Sequence, residues 1–275
     1  MRYTLQSTKY VFKNFIYLLP FAILPAVFLS ASTDEKSMVA VINAILEGNI
    51  GTWTFQELFR AISVLNFASW EAIVFGLVGI ILIVFCVALM MALLEKHMRI
   101  GKRTFNGLLG KLNDNILSTS GVVVLVLLIY ELWTLLLAAL LFFVSRITIA
   151  AVAYVLAAAV FVAMHVVLMV SIGTIYLWLP CMQITGFRAF EALVYSYQLI
   201  NPIRWRITFA QILVLFVAES LICACAVYVP TAIAFRVVAA ALYAGILMIY
   251  CVRMQIAYFD RDNIERADTA KYYHR

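Results

Sequence analysis

The sequence predicts an all-α, polytopic membrane protein with six transmembrane helices, and three observations predict it. Of its 275 residues, 66% are hydrophobic and only 12% are charged. The mean hydropathy is +1.03, far from the roughly half-apolar, quarter-charged usage of soluble domains, so lipid must be one of its solvents. The apolar residues also arrive in blocks separated by short polar stretches, the distribution that bilayer-crossing helices of about 20 residues require.

The blocks place spans at about 14–31, 70–94, 121–144, 147–179, 209–229 and 232–252, all within a single membrane domain. The first follows Arg2, Lys9 and Lys13 and ends in small residues, as a signal peptide would. Its length, with Pro20 and Pro25 inside it, favours a retained helix. The fourth is too long for one upright crossing, so it should tilt or project before Pro180 ends it. Ser145 and Arg146 leave room only for a tight hairpin between the third and fourth spans.

Residues 32–68 read as two short extracytoplasmic helices. Ser32-x-x-Glu35 and Thr54-x-x-Glu57 fit capping boxes, and Gly48-Asn49 is placed to end the first helix. Met38, Val41, Ile42, Ile45 and Leu46 form one apolar face, and Phe55, Leu58, Phe59, Ile62 and Leu65 the other. Both helices would lie on the membrane surface or pack as a cap over the bundle.

Orientation follows from the basic residues. With the N-terminus inside, the cytoplasmic side holds Arg2, Lys9 and Lys13, then Lys96, Arg99, Lys102, Arg103 and Lys111, then Arg188, Arg204 and Arg206, then Arg253, Arg261, Arg266, Lys271 and Arg275. Only Lys36, Arg60, Arg146 and Arg236 of the 20 Lys and Arg fall outside. Both termini are therefore expected in the cytoplasm, with 253–275 as a cytoplasmic tail. The net charge of +6 sits beside apolar spans, where anionic headgroups explain it better than nucleic acid. Cys86, Cys181, Cys223, Cys225 and Cys251 lie in or beside spans with no C-x-x-C pair, and read as small hydrophobes.

The cytoplasmic loops 95–120 and 180–208 look like copies. Met98-x-Ile100-Gly101-x-Arg103-x-Phe105 is echoed by Met182-x-Ile184-Thr185-Gly186-x-Arg188-x-Phe190. Each continues into an amphipathic elbow, with Phe105, Leu108, Leu109, Leu112 and Ile116 on one face and Phe190, Leu193, Val194 and Tyr197 on the other. Each elbow leads into a span bearing a glutamate, Glu131 or Glu219, which suggests a helix-elbow-helix repeat.

In the second loop, Leu179-Pro180, Gly186, Ala189, Glu191-Ala192-Leu193, Ser196, Leu199 and Trp205, with the closing Tyr258-Phe259-Asp260-Arg261, resemble a family. It is the membrane domain associated with bacterial glycerophosphodiester phosphodiesterases, together with the DUF975-like and YciC-like six-helix proteins. The resemblance covers roughly the last third of the chain. It implies a bacterial cytoplasmic-membrane protein of a group whose members mostly have no assigned reaction. The phosphodiesterase itself is a separate soluble domain, and no catalytic residue carries over.

A charged side chain at the bilayer centre costs about 2.5–3.5 kcal/mol, so Glu131 and Glu219 need a partner or a proton. One reading joins them with His165 into a proton or cation relay; the other makes each a protonated interhelical hydrogen-bond donor to a Ser, Thr or Tyr such as Tyr130 or Ser220, and His165 a satisfied core residue. Ala153/Ala157, Ala159/Ala163 and Ala241/Gly245 offer close helix packing, within the chain or with a second copy. No nucleotide-binding, metallohydrolase or serine-hydrolase motif occurs, so neither catalytic residues, cofactor nor metal is expected. The reading is a non-enzymatic scaffold or accessory subunit. Lys96, Arg99, Lys102, Arg103, Lys111, Arg188, Arg204 and Arg206 would dock anionic lipid or a protein partner. The alternative is a permease or exporter using Glu131 and Glu219.

Overall fold

Among the described residues twelve α-helices carry these blocks: α1 Arg2–Lys13, α2 Phe15–Ser32, α3 Glu35–Leu46, α4 Phe55–Ile62, α5 Trp70–Ile100, α6 Leu108–Ser145, α7 Ala150–Thr174, α8 Trp178–Thr185, α9 Ala189–Ile200, α10 Arg204–Tyr228, α11 Ala232–Arg261 and α12 Ala267–Ala270. The computed structural model describes residues 2–229 and 231–270, with no strand among them. Lys271 and Arg275, assigned to the basic side above, lie outside the described residues.

Six stretches are long and apolar enough to cross a membrane: Phe15–Ser32, Trp70–Ile100, Leu108–Ser145, Ala150–Thr185, Ala189–Tyr228 and Ala232–Arg261. Only 22–50% of each most apolar window is buried inside the protein. Much of the rest is half-buried or exposed, and the exposed side chains include large apolar ones such as Leu128, Leu132, Phe143, Val155 and Val217, which lipid accommodates better than water. The long helices pack in chain order, α2 on α5, α5 on α6, α6 on α7, α7 on α10 and α10 on α11, and α11 returns to α2. A closed six-helix ring results.

The tightest seam is between α2 and α5, where Gly76 and Gly79 let the helices touch. A Cβ on Gly79 would lie 3.0 Å from Leu29 Cδ2 and 3.3 Å from the Leu29 backbone nitrogen. Pro20 and Pro25 sit within α2 without ending it. Ala153 and Ala157 are buried, whereas Ala159 and Ala163 face outward.

Several local expectations meet a different outcome. Ser32 does not cap α3, because α2 runs through it; Asp34 takes that place, accepting from Ser37 N at 3.2 Å. The Thr54/Glu57 capping box does form. The long fourth stretch breaks at 175–177, before Pro180, which occupies the first turn of α8 where its missing N–H costs no helical bond. The first elbow is no separate helix but the beginning of α6. Ser118 and Thr119, which resemble a breaker, turn their hydroxyls back to the Asn115 carbonyl at 2.9 Å and stay helical. The second elbow does separate as α9, because Asn201-Pro202 interrupts it with a 3-10 turn. Gly101 and Gly186, the echoed glycines, both end a helix at positive φ, 72° in each case.

Between α2 and α5, helices α3 and α4 form a half-length hairpin. Its tip is held at the end of α6, where Arg146 donates to the carbonyls of Gly51 (3.1 Å) and Trp53 (2.9 Å). From there α4 runs along α6 to Tyr130 and Glu131, 14 residues or about 21 Å from Ser145 at 1.5 Å per residue. Met38 and Val39 of α3 pack against a small core of Ile222, Ala226, Phe235 and Ala239. The segment 32–68 is thus a packed insert alongside α6 and α10.

At the opposite, basic end, the closing residues of α11 clamp the amphipathic helices. Asp260 accepts from the Tyr3 hydroxyl and lies 3.5 Å from Arg2. Burial first, and this hydrogen bond second, push the Tyr3 phenol up to about 12, so it stays a donor. Arg261 Nε donates to the Leu199 carbonyl at 3.1 Å, and Tyr195 and Tyr258 both donate to Asp262.

Gly79→Val should wedge α2 from α5 and cost about 1–3 kcal/mol. Thermal unfolding of the purified protein in detergent would show a clearly lower midpoint.

Candidate functional site

Three adjacent helices each place an aromatic residue one turn from a polar one. On α7 these are Phe161 and His165, on α10 Phe216 and Glu219, and on α6 Tyr130 and Trp133. The spacing brings His165 and Glu219 together: Nε2 lies 3.0 Å from Oε2 and 3.2 Å from Oε1. Around the imidazole stand Phe161 (ring centroids 4.1 Å apart), Trp133 (4.9 Å, edge-on) and Phe216 (5.0 Å, stacked). Trp133 is itself fixed by a 2.6 Å bond from Nε1 to the Met164 carbonyl.

Hydrogen-bond bookkeeping limits the protonation states. Nδ1 of His165 lies 2.7 Å from the Phe161 carbonyl, which can only accept, so Nδ1 carries a hydrogen. Nε2 and Glu219 then share one proton, as imidazole with carboxylic acid or as imidazolium with carboxylate. His165 is 1% exposed, whereas the Glu219 side chain is 28% exposed.

Glu131 is not the donor to Tyr130 expected above but an acceptor, because the loop after α4 brings its own N–H and O–H groups to it. Its Oε2 accepts from Ser63 Oγ at 2.8 Å, and its Oε1 accepts from the backbone N–H groups of Val64 (3.0 Å) and Leu65 (3.2 Å). Next to it, Tyr130 donates to the Ile62 carbonyl at 2.8 Å. Asn66 Nδ2 donates to the Ser32 carbonyl at 2.9 Å, and Ser32 Oγ donates to the Val64 carbonyl at 3.3 Å. The non-helical stretch after α4 thus finds its partners within the protein, as backbone beside hydrocarbon must. Tyr130 lies within electrostatic range of both Glu131 and Glu219, but the two carboxylates have separate partners.

The basic residues divide likewise. Arg99 and Lys111 flank buried Glu95, at 3.3 and 3.9 Å. Lys96 donates to the Asn106 carbonyl, and Arg103 lies over the Tyr17 ring at 5.3 Å. Those four brace the first turn. Lys102, Arg188 and Arg206 are exposed, and Arg204 is partly buried. Beside Arg188, α9 turns Phe190, Val194 and Tyr197 outward.

Sequence reasoning missed three features: the aromatic enclosure of His165, the loop donors that meet Glu131, and buried Arg253 of α11. For Arg253 the signal was present, since Ile249, Tyr250, Ile256 and Ala257 leave no acid one turn away on either side. Among the described residues no three His, Cys, Asp or Glu gather as a metal site.

Fold and site together define a polytopic α-helical membrane protein in which Glu131 and Glu219, on two of the spanning helices, each meet a partner within the protein. Compared with protein-family models, curated proteins and solved structures, the chain finds no match.

Two outcomes test these roles. Glu131→Ala leaves the Val64 N–H without an acceptor, since the Ser63 hydroxyl keeps the Leu65 carbonyl (3.0 Å) and the Leu65 N–H keeps Ser63 Oγ (3.1 Å), and should cost about 1–3 kcal/mol, with new protease cleavage at 63–69. His165→Leu and Glu219→Leu should each cost about 3–5 kcal/mol, and the double variant less than either, because no polar group is left unpaired. Thermal unfolding of the four proteins in detergent measures both.

Proposed function

We propose that this protein is a non-enzymatic scaffold or accessory subunit of a bacterial cytoplasmic membrane, with both termini on the cytoplasmic side. The carrying observation is the engagement of Glu131, whose carboxylate is occupied by Ser63, Val64 and Leu65. A residue spent on holding the α3–α4 hairpin is a poor carrier of protons or solutes. The outward Phe190, Val194 and Tyr197 of α9, with exposed Arg188, suit a helix lying in the headgroup region of an anionic leaflet. Lys102 on the first turn adds a second basic contact at the same end.

Kinship with the six-helix group named above is part of the proposal. Its motif residues support a structural role: Arg261 donates to the Leu199 carbonyl, which ties the second loop to the closing segment, and Tyr195–Asp262 beside them adds to the same clamp. The second reading, a permease or exporter, draws on the 28% exposure of Glu219 beside a histidine with which it shares a proton.

Proton flux into proteoliposomes with an enclosed pH-sensitive dye separates the readings. The scaffold reading predicts that the wild-type chain and Glu219→Gln give the same slow leak. A leak abolished by Glu219→Gln would establish the relay instead.

A further inference from the structure

At the basic end, the first turn of α1 meets α10 and α11 around a cavity of about 370 Å³, lined by Arg2, Tyr3, Thr4, Ile203, Arg206, Ile207, Ala210 and Arg253. That is room for roughly a dozen waters at about 30 Å³ each. Three of the eight lining residues are arginines and none is acidic.

Arg253 is the unusual member. It is 2% exposed, and its Nε donates to the Tyr176 hydroxyl at 2.9 Å. Its Nη1 is buried with no partner, and Thr4 Oγ1, on the same cavity wall, is also buried and unbonded. Among the described residues, no carboxylate lies within 4 Å of Arg253 or Arg206; only Arg2 is partly neutralised, by Asp260 at 3.5 Å. A buried guanidinium without a counter-charge is costly, and an anion of matching geometry is what removes that cost. Planar guanidinium groups recognise phosphate oxygens through paired N–H donors. The first turn of α1 adds backbone N–H groups that have no intrahelical acceptor. Ile203, Ile207 and Ala210 supply an apolar wall against which a glycerol or acyl portion can lie.

We propose that this cavity binds a phosphate group, carried by a phospholipid headgroup or by free phosphate, between Arg206 and Arg253. The site is separate from the exposed elbow residues Lys102 and Arg188, and it stands or falls independently of the scaffold role.

The test is native mass spectrometry of the full chain in nonionic detergent, titrated with dioctanoyl phosphatidylglycerol, dioctanoylglycerol or inorganic phosphate. The expected result is a one-to-one phosphatidylglycerol adduct that dioctanoylglycerol does not form. Arg206→Gln should weaken it about tenfold, as loss of one charged contact implies, and Arg253→Lys, which keeps the charge but loses the paired guanidinium donors, about as much, while Lys102→Gln/Arg188→Gln leaves it unchanged. Competition by millimolar phosphate with the same arginine dependence would identify free phosphate as the ligand, and no competition a lipid. Because Arg253 is buried, Arg206→Gln on the exposed rim provides the reading should Arg253→Lys fail to fold. Absence of any phosphate-dependent adduct would overturn the proposal. So would equal weakening in the Lys102/Arg188 control, or an adduct indifferent to Arg206→Gln.

Discussion

A backbone that leaves helical geometry beside hydrocarbon must find its hydrogen bonds inside the protein, and here the Glu131 carboxylate is where it finds them. Its two oxygens take the Ser63 hydroxyl and two successive backbone N–H groups, while Tyr130 and Asn66 serve neighbouring carbonyls. Those partners accompany the chain as it runs along α6 and turns back into α5. The half-length hairpin of α3 and α4 is fastened by that contact at one end and by Arg146 at its tip.

The same requirement explains the second polar pair. His165 and Glu219 come from helices adjacent in the ring, and each neutralises the other's cost of leaving water. The aromatic residues one turn away pack around the imidazole and hold it in one orientation. At the basic end the rule holds with other partners: Glu95 takes Arg99 and Lys111, Asp262 takes two tyrosines, and Asp260 takes Tyr3 and Arg2. Arg204 Nε and Arg253 Nη1 break the pattern, and Arg253 does so on the wall of a cavity.

The helix count, the two short helices of 32–68 and the Thr54 capping box were legible in the sequence because they depend on local periodicity and end signals. The boundary at 118–121 was not. Ser, Thr and Gly disfavour a helix on average, but Ser118 and Thr119 satisfy themselves on the Asn115 carbonyl and the helix continues. Nor could the sequence say which acid meets which partner. Glu131 and Glu219 occupy equivalent places in the apparent repeat, yet one faces a loop more than 60 residues earlier and the other a histidine 54 residues away. Such pairings are set by the order in which helices close the ring.

The most direct test of the account is hydrogen–deuterium exchange of the full chain in phospholipid nanodiscs, comparing wild type with Glu131→Gln. If the carboxylate anchors the hairpin, exchange should rise across α4 and residues 63–69 while the amides of α6 and α11 stay protected. Unchanged protection over 55–69 would contradict it, and would mean that packing against α6 holds the segment without Glu131.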